Sequence, residues 1–406
     1  MDRVFASRLM SRFRQILGYL ALGCFFGLVL LLRLRGSIFR LAPDPNFDMF
    51  DEARHSSLLT VFRVGYEGYI SVVPRLISHA AAVFPIGYTA LVGSTLTSLV
   101  WLSTAIGSFW IIKSQTSKTY LALLASLMVV LVPAGKESSL GNSGNAKWQV
   151  FILLVLVTSS KEFIGRFPKT TLFVTFLSGF SHPLSLIAVI PVIHSSFGTD
   201  ANVRRISRMV LGLSFVIFVI QLFAFRISGA NPTRVVRTSW YWHWSGFFSF
   251  WNFNFIVPLM VCVTVALLGL SIRLFAKQAT APAALVALTG FVIGIVSYRQ
   301  GNGLTDRYFV APTVLGWISL IQLVGQTRGR LLAACRSVML VVGVVLLWAV
   351  VTWFRSSSYI NSGPTWHSEI RRLRQVCNDI PTEYVEAQLS IGVANVRCGD
   401  LAGMDQ

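Results

Sequence analysis

Apolar stretches of about 15 to 20 residues recur along nearly the whole chain, separated by short breaks that are basic or rich in Gly and Asn. That pattern leaves few folds open. A helix needs roughly 20 apolar residues to cross a bilayer. A soluble globule needs about a quarter of its residues charged, whereas here 13% are charged and 54% hydrophobic. The sequence predicts an all-α integral membrane protein, with one polytopic domain over residues 1–354 and a polar tail over 355–406.

The apolar stretches place about eleven spans, near residues 16–32, 88–112, 119–133, 147–160, 170–181, 183–197, 209–225, 255–272, 282–297, 308–325 and 337–354. The first follows Arg3, Arg8, Arg12 and Arg14 and is followed by Arg33 and Arg35, with no small-residue cleavage site. It reads as an uncleaved anchor. With the N-terminus in the cytoplasm, the inside connections are short and basic, as the positive-inside rule requires. The net charge of +19 then belongs to topology and anionic lipid, and nucleic acid is not expected as a partner. The inside loops carry no P-loop and no GxGxxG after a strand, so a soluble nucleotide donor is not expected either. The pair of stretches broken by Ser181, His182 and Pro183 is short for two full spans and suits a tilted hairpin. The run GYISVVPRLISHAAAVF, with Pro74, Arg75 and His79 among apolar residues, suits an amphipathic helix in the interface.

Under this topology the polar features share the outer face. Acidic residues are scarce, only 16 in 406, yet Asp44, Asp48, Asp51 and Glu52 crowd into DPNFDMFDEARH in the first outer loop, residues 33–87. Carboxylates there can take a proton from an acceptor hydroxyl or hold a divalent cation through oxygen. If the segment is helical, Asp48 shares a face with Asp51 or Glu52. A plain solvated loop, with Asp51 or Glu52 paired to Arg54, is the bland alternative. Arg299, Asp306 and Arg307 flank a Gly/Asn-rich connection and suit a phosphate, or else snorkel at helix ends. Lys136, Glu137, Asn142 and Asn145 supply a second polar loop, and His182 a donor at membrane depth. Each has an ordinary structural explanation in a turn or a satisfied carbonyl. The aromatic run WYWHWSGFFSFW suits sugar stacking or an interfacial belt equally. Cys24, Cys262 and Cys335 lie in or beside spans, whereas Cys377 and Cys398 are the tail's two cysteines and can pair on an oxidising face.

Four segments together resemble the bacterial multispanning glycosyltransferases of the GT-C type. These are the acidic first outer loop leading into GYEGYISVVPRL, then GNSGNAKWQVF, LSGFSHPLSLIAVIPVI and DRYFVAP, over roughly residues 15–325. The resemblance implies inverting transfer of a sugar from a polyprenyl-phosphate donor to a glycan or lipid acceptor of the cell envelope, on the outer face of a bacterial plasma membrane. It implies an acidic base in the first outer loop, mapped to Asp51 with Asp48 second and Glu52 competing. Members often carry a cleaner acidic pair. Arg307 would meet the donor phosphate, supported by Arg299 and Lys136, with Asn145 and His182 at the substrate. Any metal would fall to Asp48 and Asp51, and no other cofactor is implied. A flippase of lipid-linked saccharides would line a path with the same charges. An oligosaccharide polymerase or ligase would draw on Arg226, Arg234, Arg237 and His243.

Overall fold

The computed structural model describes residues 2–36, 38–41, 46–64, 68–132, 141–228, 310–355, 363–380, 383–389 and 393–401. Arg299, Asp306, Arg307, Lys136, Glu137 and Asp44 lie outside them, as do the aromatic run and the stretches near 255–272 and 282–297. The described chain is mostly helical. Its helices are α1 (Asp2–Leu34), α2 (Asn46–His55), α3 (Val72–Ala82), α4 (Thr89–Thr116), α5 (Thr119–Leu131), α6 (Ala146–Ser159), α7 (Lys161–Arg166), α8 (Pro168–Gly179), α9 (Val189–Ser196) and α10 (Ala201–Ile227). After these come α11 (Val310–Gln326), α12 (Arg330–Arg355) and α13 (Trp366–Asp379), then the strands β1 (Tyr384–Gln388) and β2 (Val393–Arg397).

Among the described residues, four helical segments are long and apolar enough to cross a membrane: Leu17–Leu34, Ile86–Thr116, Ala201–Ile227 and Leu332–Val351. The helices α5 and α11 are apolar but shorter. Their exposure divides the bundle. α6 is buried almost throughout, whereas α10 and α12 turn Phe215, Leu222, Phe223, Leu340, Leu347 and Trp348 outward. Large apolar side chains facing out along two long helices suit a hydrocarbon solvent. The expected span near 183–197 takes another form: a 3-10 segment, Pro183–Ala188, followed by the eight residues of α9. Eight helical residues cover about 12 Å, too short to cross alone.

Local chemistry sets several boundaries. Asp200 caps α10 by accepting from the Asn202 and Val203 N–H groups, and Ser160 caps α7 by accepting from Phe163 N–H. At the other end of the bundle Arg33, in the last turn of α1, donates to the Val130 and Val132 carbonyls where α5 runs out of partners. Its guanidinium also lies 5.7 Å from the Trp101 ring centroid. That contact brings the ends of α1 and α5 beside the middle of α4.

The tail folds back onto this end. Thr365 caps α13, β1 and β2 form an antiparallel hairpin, and a disulfide joins Cys377 to Cys398. Trp366, Ile370, Leu373, Val385 and Val396 share one apolar cluster with Leu41, Phe50, Ile86 and Ala90 of the first loop and α4. The Trp366 indole N–H donates to the Ile86 carbonyl at 2.7 Å, and its backbone N–H to the Phe39 carbonyl at 2.8 Å.

Candidate functional site

The acidic segment is a helix, α2, and its apolar side fixes its pose. Met49, Phe50 and Ala53 are buried. Phe50 lies over Gly93 of α4 so closely that a Cβ on the glycine would stand 2.8 Å from the ring. Consecutive residues of a helix differ by about 100° in direction, so Asp51 and Glu52 point to different partners.

Glu52 faces α3. One carboxylate oxygen accepts from Arg75 at 2.6 Å and the other from Arg63 at 3.1 Å. The Arg75 side chain is 7% exposed and also donates to the Thr60 carbonyl. The sequence offers Glu52 both as a candidate base and, like Asp51, as a partner of Arg54, and the structure gives it a different setting. It is bound from both sides by guanidinium groups, while Arg54 donates to the Phe84 carbonyl and the Thr89 hydroxyl. His79 completes this side, with Nε2 3.0 Å from the Thr60 hydroxyl. Burial, and then the Arg75 charge, lower its imidazole below the usual range, against a smaller opposing pull from Glu52.

Asp51 faces the tail. His55, one turn on, has Nδ1 2.8 Å from the Asp51 carbonyl oxygen and 3.7 Å from its Oδ1, while Nε2 lies 3.2 Å from Asp400 Oδ1. Ligand atoms of Asp51, His55 and Asp400 all lie within 4.8 Å of one another. The Arg54 guanidinium sits beside them. Burial lowers it from its ordinary value, and the charges of Asp400 and Asp51 offset part of that. Asp48 stands one turn before Glu52 on α2.

The second polar group lies across α3. The sequence suits an amphipathic helix lying in the interface or a span, whereas most of α3 is buried against the protein, including Val72, Val73, Arg75, Ile77, Ser78 and Ala81. Its first turn is stitched to the Ser181–His182–Pro183 break: Val72 N–H donates to the Phe180 carbonyl and Val73 N–H to the Ser181 hydroxyl. The Gln221 amide of α10 ties both polar groups of the Ile70 backbone to the same place and also donates to the Gly179 carbonyl. Beside this knot His182 is buried, its ring 4.7 Å from Trp148 and 5.5 Å from Tyr69. The Lys147 ammonium, at the start of α6, donates to the Tyr69 hydroxyl at 2.6 Å. Asn142 and Asn145 are buried in the turn that leads into α6.

The structure thus brings Asp51, Glu52, Asn145 and His182 to one end of the helices, on two sides of α3. His55, Tyr69, Lys147 and Asp400 of this region carry no role in the sequence alone. His55 could have been found from its spacing of four after Asp51 in DEARH. Tyr69 and Lys147 carry no signal beyond their neighbouring motifs, and Asp400 has only its place two residues after Cys398. No protein-family model, curated protein or solved structure matches the chain.

Proposed function

We propose that the protein is a membrane glycosyltransferase that takes a sugar from a polyprenyl-phosphate donor on the extracytoplasmic face. One observation carries this reading: the acidic helix α2 packs against α3, close to the buried cations Arg75 and Lys147, at the end of the bundle where the disulfide-stapled tail also rests. A disulfide belongs on an oxidising side, and the tail's shared core with the first loop supports the same side for both. The tail therefore lies at the end opposite the start of α1, which favours an odd number of crossings, as in the eleven-span, GT-C-like arrangement.

In the reaction an acceptor hydroxyl attacks the anomeric carbon and the bond from that carbon to the lipid phosphate breaks. The phosphate leaves with the electron pair, and the hydroxyl proton passes to a carboxylate of α2, Asp51 or Asp48. Glu52 is the least available of the three, because both of its carboxylate oxygens are engaged by guanidinium groups. Arg307, Arg299 and Lys136 are proposed to neutralise the donor phosphate, with Asn145 and His182 beside the substrate.

The test is transfer of labelled sugar from a panel of polyprenyl-phosphate donors to lipid or glycan acceptors by the purified protein. Turnover is expected with at least one donor. Saturable lipid binding without turnover on any donor would overturn the transferase reading in favour of transport.

A further inference from the structure

We propose that Asp51, His55 and Asp400 form a binding site for a divalent transition-metal ion, which would bridge the acidic helix α2 and the C-terminal tail. The inference goes beyond the transfer reading and does not depend on it. Ligands held at about 2.0–2.3 Å from one ion stand about 3.0–4.6 Å apart, and the three donor atoms here lie within 4.8 Å of one another. They need only small side-chain rotations to close on an ion.

The donor set is mixed, one imidazole nitrogen and two carboxylates, which suits Mn²⁺ or Zn²⁺ better than Mg²⁺ or Ca²⁺. The histidine is arranged as metal-bound imidazoles commonly are. Nδ1 lies 2.8 Å from the Asp51 carbonyl, an oxygen that can only accept, so Nε2 is the nitrogen presented to an ion, 3.2 Å from Asp400 Oδ1. The nearby Arg54 guanidinium donates through Nη2 to the Phe84 carbonyl and the Thr89 hydroxyl.

The ligands come from segments 345 positions apart. Asp400 is delivered by the turn Cys398–Asp400, whose first residue is disulfide-bonded to α13. Partial exposure of the carboxylates leaves the ion a route in from solvent. With Asp51 engaged as a ligand, the base of the transfer reading is Asp48.

The experiment uses the full chain, purified and stripped with a chelator. Co²⁺ is titrated by its visible absorption, and Mn²⁺ by the loss of its free-ion resonance signal. One ion per chain is expected, with affinity falling at least about tenfold in His55→Ala and in Asp400→Asn, and with binding unchanged in Asp48→Asn. Because a ligand variant could disturb the tail, each is checked for the Cys377–Cys398 bond by mobility without reductant, and Asp400→Glu should restore binding in part. No binding at millimolar Co²⁺ or Mn²⁺, or equal binding by the wild type, His55→Ala and Asp400→Asn, would overturn the site. Neither result bears on turnover, so failure here is distinct from failure of the transferase reading.

Discussion

The two sides of α2 treat neighbouring carboxylates in opposite ways. Toward α3, Glu52 meets Arg75 and Arg63, and its charge is consumed in an ion-pair network that closes the first loop against the bundle. Toward the tail, Asp51 meets His55 and a second carboxylate, Asp400, with the Arg54 guanidinium beside them. A buried pair with good geometry holds structure together and is costly to break from one side. Like charges placed together oppose folding, so the packed core beneath them must hold them in place. That core is the tail's: Trp366, Ile370 and Val396 against Phe50, Ile86 and Ala90. The side toward α3 ties the helix to the bundle, and the side toward the tail holds the Asp51–His55–Asp400 group.

Removing Trp366 should break the tail side with the largest effect. The indole is 2% exposed and its N–H serves the Ile86 carbonyl, so Trp366→Ala should cost about 3–5 kcal/mol. The loss should appear as faster hydrogen exchange through α13 and the hairpin, with the Glu52 side unchanged. Arg75→Met tests the other side. It leaves Glu52 with Arg63 alone and should cost about 3 kcal/mol, read as a lower unfolding temperature and faster exchange in α3 and in the turn at Leu58–Phe62, with the tail protected. If either variant loosens both sides equally, the division fails.

The smallest effect is one of pH within the tail. Burial pushes the Glu369 carboxyl up, but hydrogen bonds from Arg372 and the Gln388 N–H, together with the Arg372 charge, outweigh it and hold the group below its usual range. A depressed carboxyl contributes stability above its unfolded value, near 4.5, and loses it as pH falls through the lower folded value. The tail should therefore loosen on acidification below about pH 4.5, and Glu369→Gln should remove that dependence. Exchange in α13 followed from pH 6 to pH 3, as a test range of about three units, separates the two cases.

The fold was legible where apolar runs repeat, because burial in lipid and in a bundle writes the same pattern into the sequence. The runs near 88–112, 147–160 and 209–225 each fall within or largely on a helix. The run after Pro183 reads as half of a short tilted hairpin, and its composition does not show that the backbone begins as a 3-10 turn before the eight residues of α9. Arg75 and His79 read as interfacial residues because the sequence cannot announce Glu52, 23 positions away, as the partner that makes burial of Arg75 affordable. The same holds for Lys147 and Tyr69, and most of all for His55 and Asp400, whose proximity depends on the tail folding back across the first loop. Spacings of three and four place residues on one helix face; they say nothing about what the face meets.

The central claim is that the acidic helix performs transfer while Glu52 serves the fold. Its most direct test is the rate of sugar transfer from a polyprenyl-phosphate donor by the wild type, by the Asp48→Asn/Asp51→Asn double variant and by Glu52→Gln, all purified as folded protein. The account predicts turnover by the wild type, a fall on the order of 100-fold or more in the double variant, and a smaller loss in Glu52→Gln that tracks its stability. Undiminished transfer by the double variant would contradict it.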